Sequence, residues 1–297
     1  MGRRAAHRRG SGGDPARQVG RRHRQAVRAR VVRVLRDPQR VIKRYAQRFY
    51  LPLGYRKFLG RILPPRSGFS RFHSVYVVTY GRSGSTLLTK YLSRLPGFDL
   101  KGENYLFPLP LMEAENRLRD ARQRPYKGRE SSDNPWYGSH QFTPKRWRRD
   151  IADAMLNQLY PSRPIPKTIG FKEIRWYSYV KPEQFDETLE WLCSLHAPGA
   201  IIFLFRDLDN VMKSGWWAEM DPEKKARDRA KLERFEVHAR AYAETHPESS
   251  IVVTYEDFIS TSAAPQALCD LLGVHFKESV WQAVLSQKLE HMHAKKS

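Results

Sequence analysis

The chain has 297 residues, with 53 Lys plus Arg against 31 Asp plus Glu and a formal net charge of +22. A composition 40% hydrophobic and 12% aromatic is too apolar for a disordered chain. Two cysteines, Cys193 and Cys269, are too few for a disulfide scaffold, and the longest run of large aliphatic or aromatic residues, 201–205, is far below the roughly 18 residues that span a bilayer.

The charge is uneven along the chain. Residues 1–66 hold 20 Lys/Arg against two acids (Asp14 and Asp37), a charge of +18, while the remaining 231 residues hold 33 against 29, or +4. The expected organisation is therefore a basic arm, 1–66, and one globular domain, 67–297. Residues 1–23 are rich in Arg and Gly without periodicity and read as disordered. Val27, Val31, Val34 and Leu35 form a helical stripe, and Asp37-Pro38 is a helix start that leads into a second stripe of Val41, Ile42, Tyr45 and Phe49. Three partners compete for this arm: the body of the protein, an anionic membrane surface, and nucleic acid. No zinc-finger, RNP-like or zipper signature supports specific nucleic-acid binding. Packing on the body is favoured for residues 38–60 and peripheral membrane contact is the second reading, for 1–36. The N-terminus has no apolar stretch after its charges, so no secretory signal is expected and a cytoplasmic location is. Both cysteines are flanked by apolar residues and read as structural thiols.

In the domain, Ser74-Val75-Tyr76-Val77-Val78-Thr79 is an apolar, β-branched strand. It runs into Tyr80-Gly81-Arg82-Ser83-Gly84-Ser85-Thr86, and a helical pattern follows (Leu87, Leu88, Tyr91, Leu92, Leu95) that stops at Pro96-Gly97. Strand, Gly/Ser loop and helix is the arrangement that aims free backbone N–H groups and a positive helix end at an anion. Ser83, Ser85 and Thr86 add hydroxyls and Arg82 a cationic fork. An ATP or GTP loop would read GxxxxGK[ST], and no Lys precedes Ser85 or Thr86. An anion handled without metal is the expectation. Phe98–Phe107 is then a short strand-like stretch containing Glu103. The Pro-, Gly- and aromatic-rich segment 125–142 reads as a lid and contains His140. Helices are expected at about 144–160, 182–195, 222–247 and 264–289, and strands at 168–172, 200–205 and 251–254. The strand 200–205 is apolar throughout, as in a parallel sheet buried on both faces, and it ends at Arg206-Asp207, with Ser214 eight residues on. Arg206 and Ser214 can turn to the ligand edge of such a sheet, although a surface Arg206 paired with Asp207 or Asp209 is an equal alternative.

Taken together, GRSGSTLL after one strand and Arg-x7-Ser after a later one resemble the sulfotransferases that use 3′-phosphoadenosine 5′-phosphosulfate (PAPS). Gly170-Phe171-Lys172-Glu173 and Val252-Val253-Thr254-Tyr255-Glu256-Asp257-Phe258 add to the resemblance, which covers roughly residues 72–290 by motif. The resemblance implies a three-layer, P-loop-like α/β domain with a central parallel sheet of about four to five strands flanked by helices. It implies that Arg82, Ser83, Gly84, Ser85 and Thr86 hold the 5′-phosphosulfate and that Arg206 and Ser214 hold the 3′-phosphate, with no metal. Transfer to an acceptor hydroxyl needs a proton acceptor. Carbohydrate-type bacterial relatives carry a catalytic Glu shortly after the loop helix, and Glu103 takes that role here, with His140 as its rival. Arg82 or Lys172 would sit beside the leaving oxygen, unless Lys172 and Glu173 are an ion pair within the sheet. The aromatic pairs Trp136-Tyr137, Trp176-Tyr177 and Trp216-Trp217 are candidate walls for an acceptor, expected to be a carbohydrate or glycoconjugate, whereas Trp147 falls in step with Ile151, Met155 and Leu159 and reads as core. A metal-dependent phosphoryl transferase and a basic adaptor are the rival classes. Oligomeric state is not legible.

Overall fold

A computed structural model describes residues 69–124, 127–162 and 164–287. The arm 1–66, with its two expected helices, lies outside the described residues, as does the end of the last expected helix. Five strands form one sheet: β1 (Ser74–Thr79), β2 (Phe98–Lys101), β3 (Thr168–Glu173), β4 (Gly199–Phe205) and β5 (Ser250–Thr254), in the order β2-β3-β1-β4-β5. Every neighbouring pair is parallel, with Tyr76 opposite both Phe171 and Ile201. The strand-like stretch expected over 98–107 joins the sheet as its edge strand, but its pairing stops at Lys101, before Glu103.

The apolar strands are continuous because both faces of the sheet are covered. Tyr76, Val78, Phe171, Phe203 and Phe205 point into one core, closed by α3 (Pro144–Leu159), α5 (Phe185–Leu195) and α7 (Pro222–Thr245). Val75, Val77, Ile202 and Leu204 point into the other, closed by α1 (Ser85–Leu92), α9 (Ala263–Leu272) and α10 (Glu278–Leu285). Each of these large side chains contributes about 1.5–3 kcal/mol by leaving water. Trp147 packs against the first core and donates from Nε1 to the Leu111 carbonyl (3.2 Å). Cys193 and Cys269 are free thiols, and burial pushes Cys193 up to about 12, which suits packing rather than reactivity.

Two elements differ from expectation. The helix expected over 264–289 is two helices, because Gly273 takes a left-handed φ of 71° and closes α9. The N–H groups of Gly273 and Val274 return to the carbonyls of Asp270 (3.1 Å) and Cys269 (3.0 Å), a Schellman closure. A further helix, α2 (Pro108–Gln123), has no counterpart in the sequence reading. Its apolar stripe is interrupted where Glu115 stands buried. Desolvation opposes the Glu115 charge, but hydrogen bonds from Arg148 and from Trp191 Nε1 (2.8 Å) outweigh it and hold the carboxyl below its usual range. No helix among the described residues is long and apolar enough to cross a membrane.

Candidate active site

The chain leaves β1 toward β2 and leaves β4 toward β5, so the connections diverge between β1 and β4 at the carboxyl edge of the sheet. Open α/β sheets bind ligands at such a divide. The loop after β1 turns there through two left-handed residues, Arg82 (φ 70°) and Gly84 (φ 86°). The amides of Leu87 and Leu88 both return to the Gly84 carbonyl, at 2.9 and 3.3 Å. Those of Gly84, Ser85 and Thr86 precede the first bonded turn of α1 and stand at its positive end. Gly84 is required by φ and by contact, and Gly81 by contact alone. A Cβ on Gly84 would lie 2.1 Å from the Tyr255 ring, and one on Gly81 would lie 2.3 Å from the Trp216 ring.

The hydroxyls divide. Ser83 is fully buried, its Oγ 2.8 Å from Thr79 Oγ1, which donates to the Leu204 carbonyl (2.6 Å). Its side chain thus belongs to the interior and only its amide faces the loop, contrary to the expectation of a hydroxyl donor. Ser85 is buried at the first position of α1, and Thr86 is exposed.

The second motif closes on the first. Arg82 Nε donates to Ser214 Oγ (3.0 Å), and Arg206 Nη1 donates to the Arg82 carbonyl (3.2 Å). Arg206 lies over the Tyr255 ring, 4.6 Å from its centre, so the ring that fills the space beside Gly84 also supports Arg206. The Arg206 amide donates to Tyr80 Oη (2.9 Å), which is also 2.7 Å from Glu236 Oε1. Arg206 Nε is buried without a hydrogen-bond partner among the described residues, 3.9 Å from Glu256 Oε1. The pairings considered with Asp207 and Asp209 do not form: Asp207 caps the short helix α6 (Leu208–Met212) and Asp209 pairs with Arg229. Trp216 is half-exposed on Gly81, whereas Trp217 is buried and donates from Nε1 to the Gly81 carbonyl (3.4 Å).

On the other side of β1, the end of β3 holds an ion-pair cluster. Lys172 Nζ is 2.6 Å from Glu103 Oε1, and Arg175 Nη1 is 3.1 Å from Glu103 Oε2 and 3.0 Å from Glu173 Oε1. Lys172 and Glu173 therefore do not pair with each other, which corrects that alternative. Lys101 pairs with Asp99 (2.7 Å). Desolvation disfavours the Arg175 charge, but Glu173 and then Glu103 outweigh it and raise the guanidinium above its ordinary value. An isolated antiparallel bridge between Tyr80 and Arg175 ties this cluster to the start of the phosphate-type loop. His140 sits in a 3₁₀ turn (Ser139–Gln141) packed on α2, and its Nδ1 is buried without a hydrogen-bond partner among the described residues. Among the described residues no group of three or more His, Cys, Asp or Glu could hold a metal ion. A cleft of about 560 Å³ runs beside β5, lined by Arg240, Glu244 and Ile251 among others, and contains no residue of this edge.

Sequence reasoning missed Arg175, Glu173 as a buried acceptor, and the seating of Tyr255 and Trp216 on the two loop glycines. Tyr255 stood in a quoted motif, but nothing in its spacing says that it contacts Gly84.

Residues 74–278 match a family profile described as a sulfotransferase family. No curated protein matches the chain. Among solved structures, the sulfotransferase domain of the Synechococcus PCC 7002 olefin synthase is similar at 20% identity and a TM-score of 0.47, over 76% of this chain and 80% of that one.

Proposed function

The chain belongs to the sulfotransferase family, and from that premise we propose that it moves the sulfuryl group of PAPS to an acceptor hydroxyl, with Glu103 as general base. The observation that carries the reading is the convergence of Arg82, Ser214 and Arg206. Residues separated by 132 and 124 positions in the chain are joined by two hydrogen bonds at the divide of the sheet. That arrangement suits a nucleotide with two separate anionic groups. The amides of residues 83–86 and Arg82 receive the phosphosulfate, and Arg206 with Ser214 receives the 3′-phosphate. Arg206 Nε, which has no hydrogen-bond partner among the described residues, is a buried donor that such a phosphate would satisfy.

In the proposed step an acceptor oxygen forms a bond to sulfur as the bond from sulfur to the bridging oxygen breaks. The hydroxyl proton passes to Glu103, and adenosine 3′,5′-bisphosphate leaves. Lys172 and Arg175 occupy one acceptor position on each Glu103 oxygen, which fixes the carboxylate and leaves a lone pair on each for the incoming proton. Arg82 and Lys172 are the cations available to charge developing on the leaving oxygen. Tyr105, 68% exposed beside Glu103, and Trp216, 43% exposed, offer flat apolar faces to a sugar ring, in keeping with a carbohydrate or glycoconjugate acceptor. For the +18 arm we propose contact with an anionic membrane surface, which sedimentation with anionic and neutral vesicles tests; equal binding to both would remove it.

Titration calorimetry tests the donor. Adenosine 3′,5′-bisphosphate is expected to bind without metal and about tenfold or more tighter than 5′-AMP, a difference that Arg206→Ala erases. Equal affinity for the two nucleotides, or preference for ATP–Mg²⁺, would overturn the reading.

A further inference from the structure

The loop that carries Glu103 keeps an unfavourable backbone shape around one buried carboxylate. Tyr105 and Leu106 follow one another with φ of 61° and 49°, in the left-handed region that residues with a Cβ seldom adopt and that persists only where the surroundings impose it. The imposing group is Glu173. Its side chain has no exposed surface. Its Oε2 accepts from the N–H groups of Asn104 (3.0 Å) and Leu106 (3.2 Å), one on each side of Tyr105. Its Oε1 accepts from the N–H groups of Ile174 (2.8 Å) and Arg175 (3.2 Å) and from Arg175 Nη1 (3.0 Å). The same Nη1 reaches Glu103 Oε2, and the Arg175 guanidinium lies 4.0 Å from the centre of the Tyr105 ring.

Everything that borders Glu103 on this side is thus referred to Glu173: the peptide after it, the two strained residues beyond, and the arginine on its second oxygen. The donors explain the residue type. Both oxygens face only N–H groups, so the site needs two acceptors and no donor, which a carboxylate offers and an amide does not. Glutamine in this place would turn its NH₂ toward either the loop amides or the Ile174–Arg175 amides and release one set.

We propose that Glu173 is a positioning residue for turnover, touching neither donor nor acceptor and acting through Glu103 alone. This role rests on the reading of Glu103 as the base. It differs from general structural support in one respect, which is that its loss has nothing to act on once Glu103 is gone.

The test is a double-mutant cycle in kcat with PAPS and an accepted hydroxyl substrate, beside calorimetry with adenosine 3′,5′-bisphosphate. Glu173→Gln is expected to lower kcat about 10- to 100-fold, as displaced catalytic groups do, while the bisphosphate affinity stays within about two-fold. In the Glu103→Gln background it should remove nothing more. Losses that multiply in the double variant, or a parallel fall in bisphosphate affinity, would overturn the role in favour of general support. Arg175→Met, at a side chain that is partly exposed, reads the same coupling should Glu173→Gln not fold, and a kcat equal to wild type or a multiplying loss there would equally overturn it. The two readings separate cleanly. Normal turnover by Glu103→Gln removes the base and this role with it, whereas an inactive Glu103→Gln beside a fully active Glu173→Gln removes this role alone.

Discussion

The two flanks of β1 are built from different materials. Toward β4, the edge is mainly backbone: first-turn amides, left-handed turns, and two glycines against which Tyr255 and Trp216 are seated, with the side chains of Arg82, Ser214 and Arg206 bonded across it. Toward β3, it is side chains: two carboxylates and two cations in contact, closing over a strained loop. A backbone cradle recognises any group of the right charge and shape and is disturbed by volume. An ion-pair cluster sets the orientation of one carboxylate and is disturbed by a change of charge. The flanks should therefore fail in separable ways, the first in nucleotide affinity and the second in turnover.

The largest effect expected is on the backbone side. Gly84→Val would bring a Cβ within 2.1 Å of the Tyr255 ring at a φ of 86°, and adenosine 3′,5′-bisphosphate should lose about 1000-fold or more in affinity by calorimetry. Retention within tenfold would show that the loop is not the nucleotide cradle. Next is the cluster. Lys172→Met should cut kcat about 100-fold while lowering bisphosphate affinity less than about tenfold, because the cation it removes holds the proposed base and reaches only the leaving oxygen of the nucleotide. A comparable loss of affinity would erase the distinction between the flanks. The smallest effect belongs to Ser214→Ala. One neutral hydroxyl is worth about 0.5–1.5 kcal/mol, so the bisphosphate dissociation constant should rise about 2- to 10-fold with kcat unchanged. A fall in kcat there would mean that Ser214 serves the chemistry through Arg82.

The same contrast governs what could be read from the sequence. The backbone flank announces itself locally. Ser74–Thr79 and Gly199–Phe205 are apolar without interruption because both their faces are covered, and a Gly/Ser loop or an Arg-x7-Ser spacing lies within a few residues of each strand end. The side-chain flank has no local signature. Glu103 meets Lys172 and Arg175 across 69 and 72 positions, and only the parallel pairing of β2 with β3 brings them together. Ser83 misled for a related reason: its place in the motif suggests a ligand hydroxyl, whereas the inward turn toward Thr79 depends on the packing of β1 against β4. Helix α2 was hidden by Glu115, a charge at a position whose period asks for an apolar residue, and its partners Arg148 and Trp191 lie 33 and 76 positions away. The break at Gly273 was open to reading, since a glycine after an apolar helical run is an ordinary stop signal.

Trp216 has a consequence of an optical kind. Its indole is 43% exposed and rests on Gly81, while its neighbour Trp217 is buried at 1%. The loop carries its own fluorophore, beside the proposed anion cradle, with a shielded second indole next to it in the chain. Filling of the cradle can thus be followed by emission from the unlabelled chain, and the part of that signal which disappears in Trp216→Phe belongs to the loop.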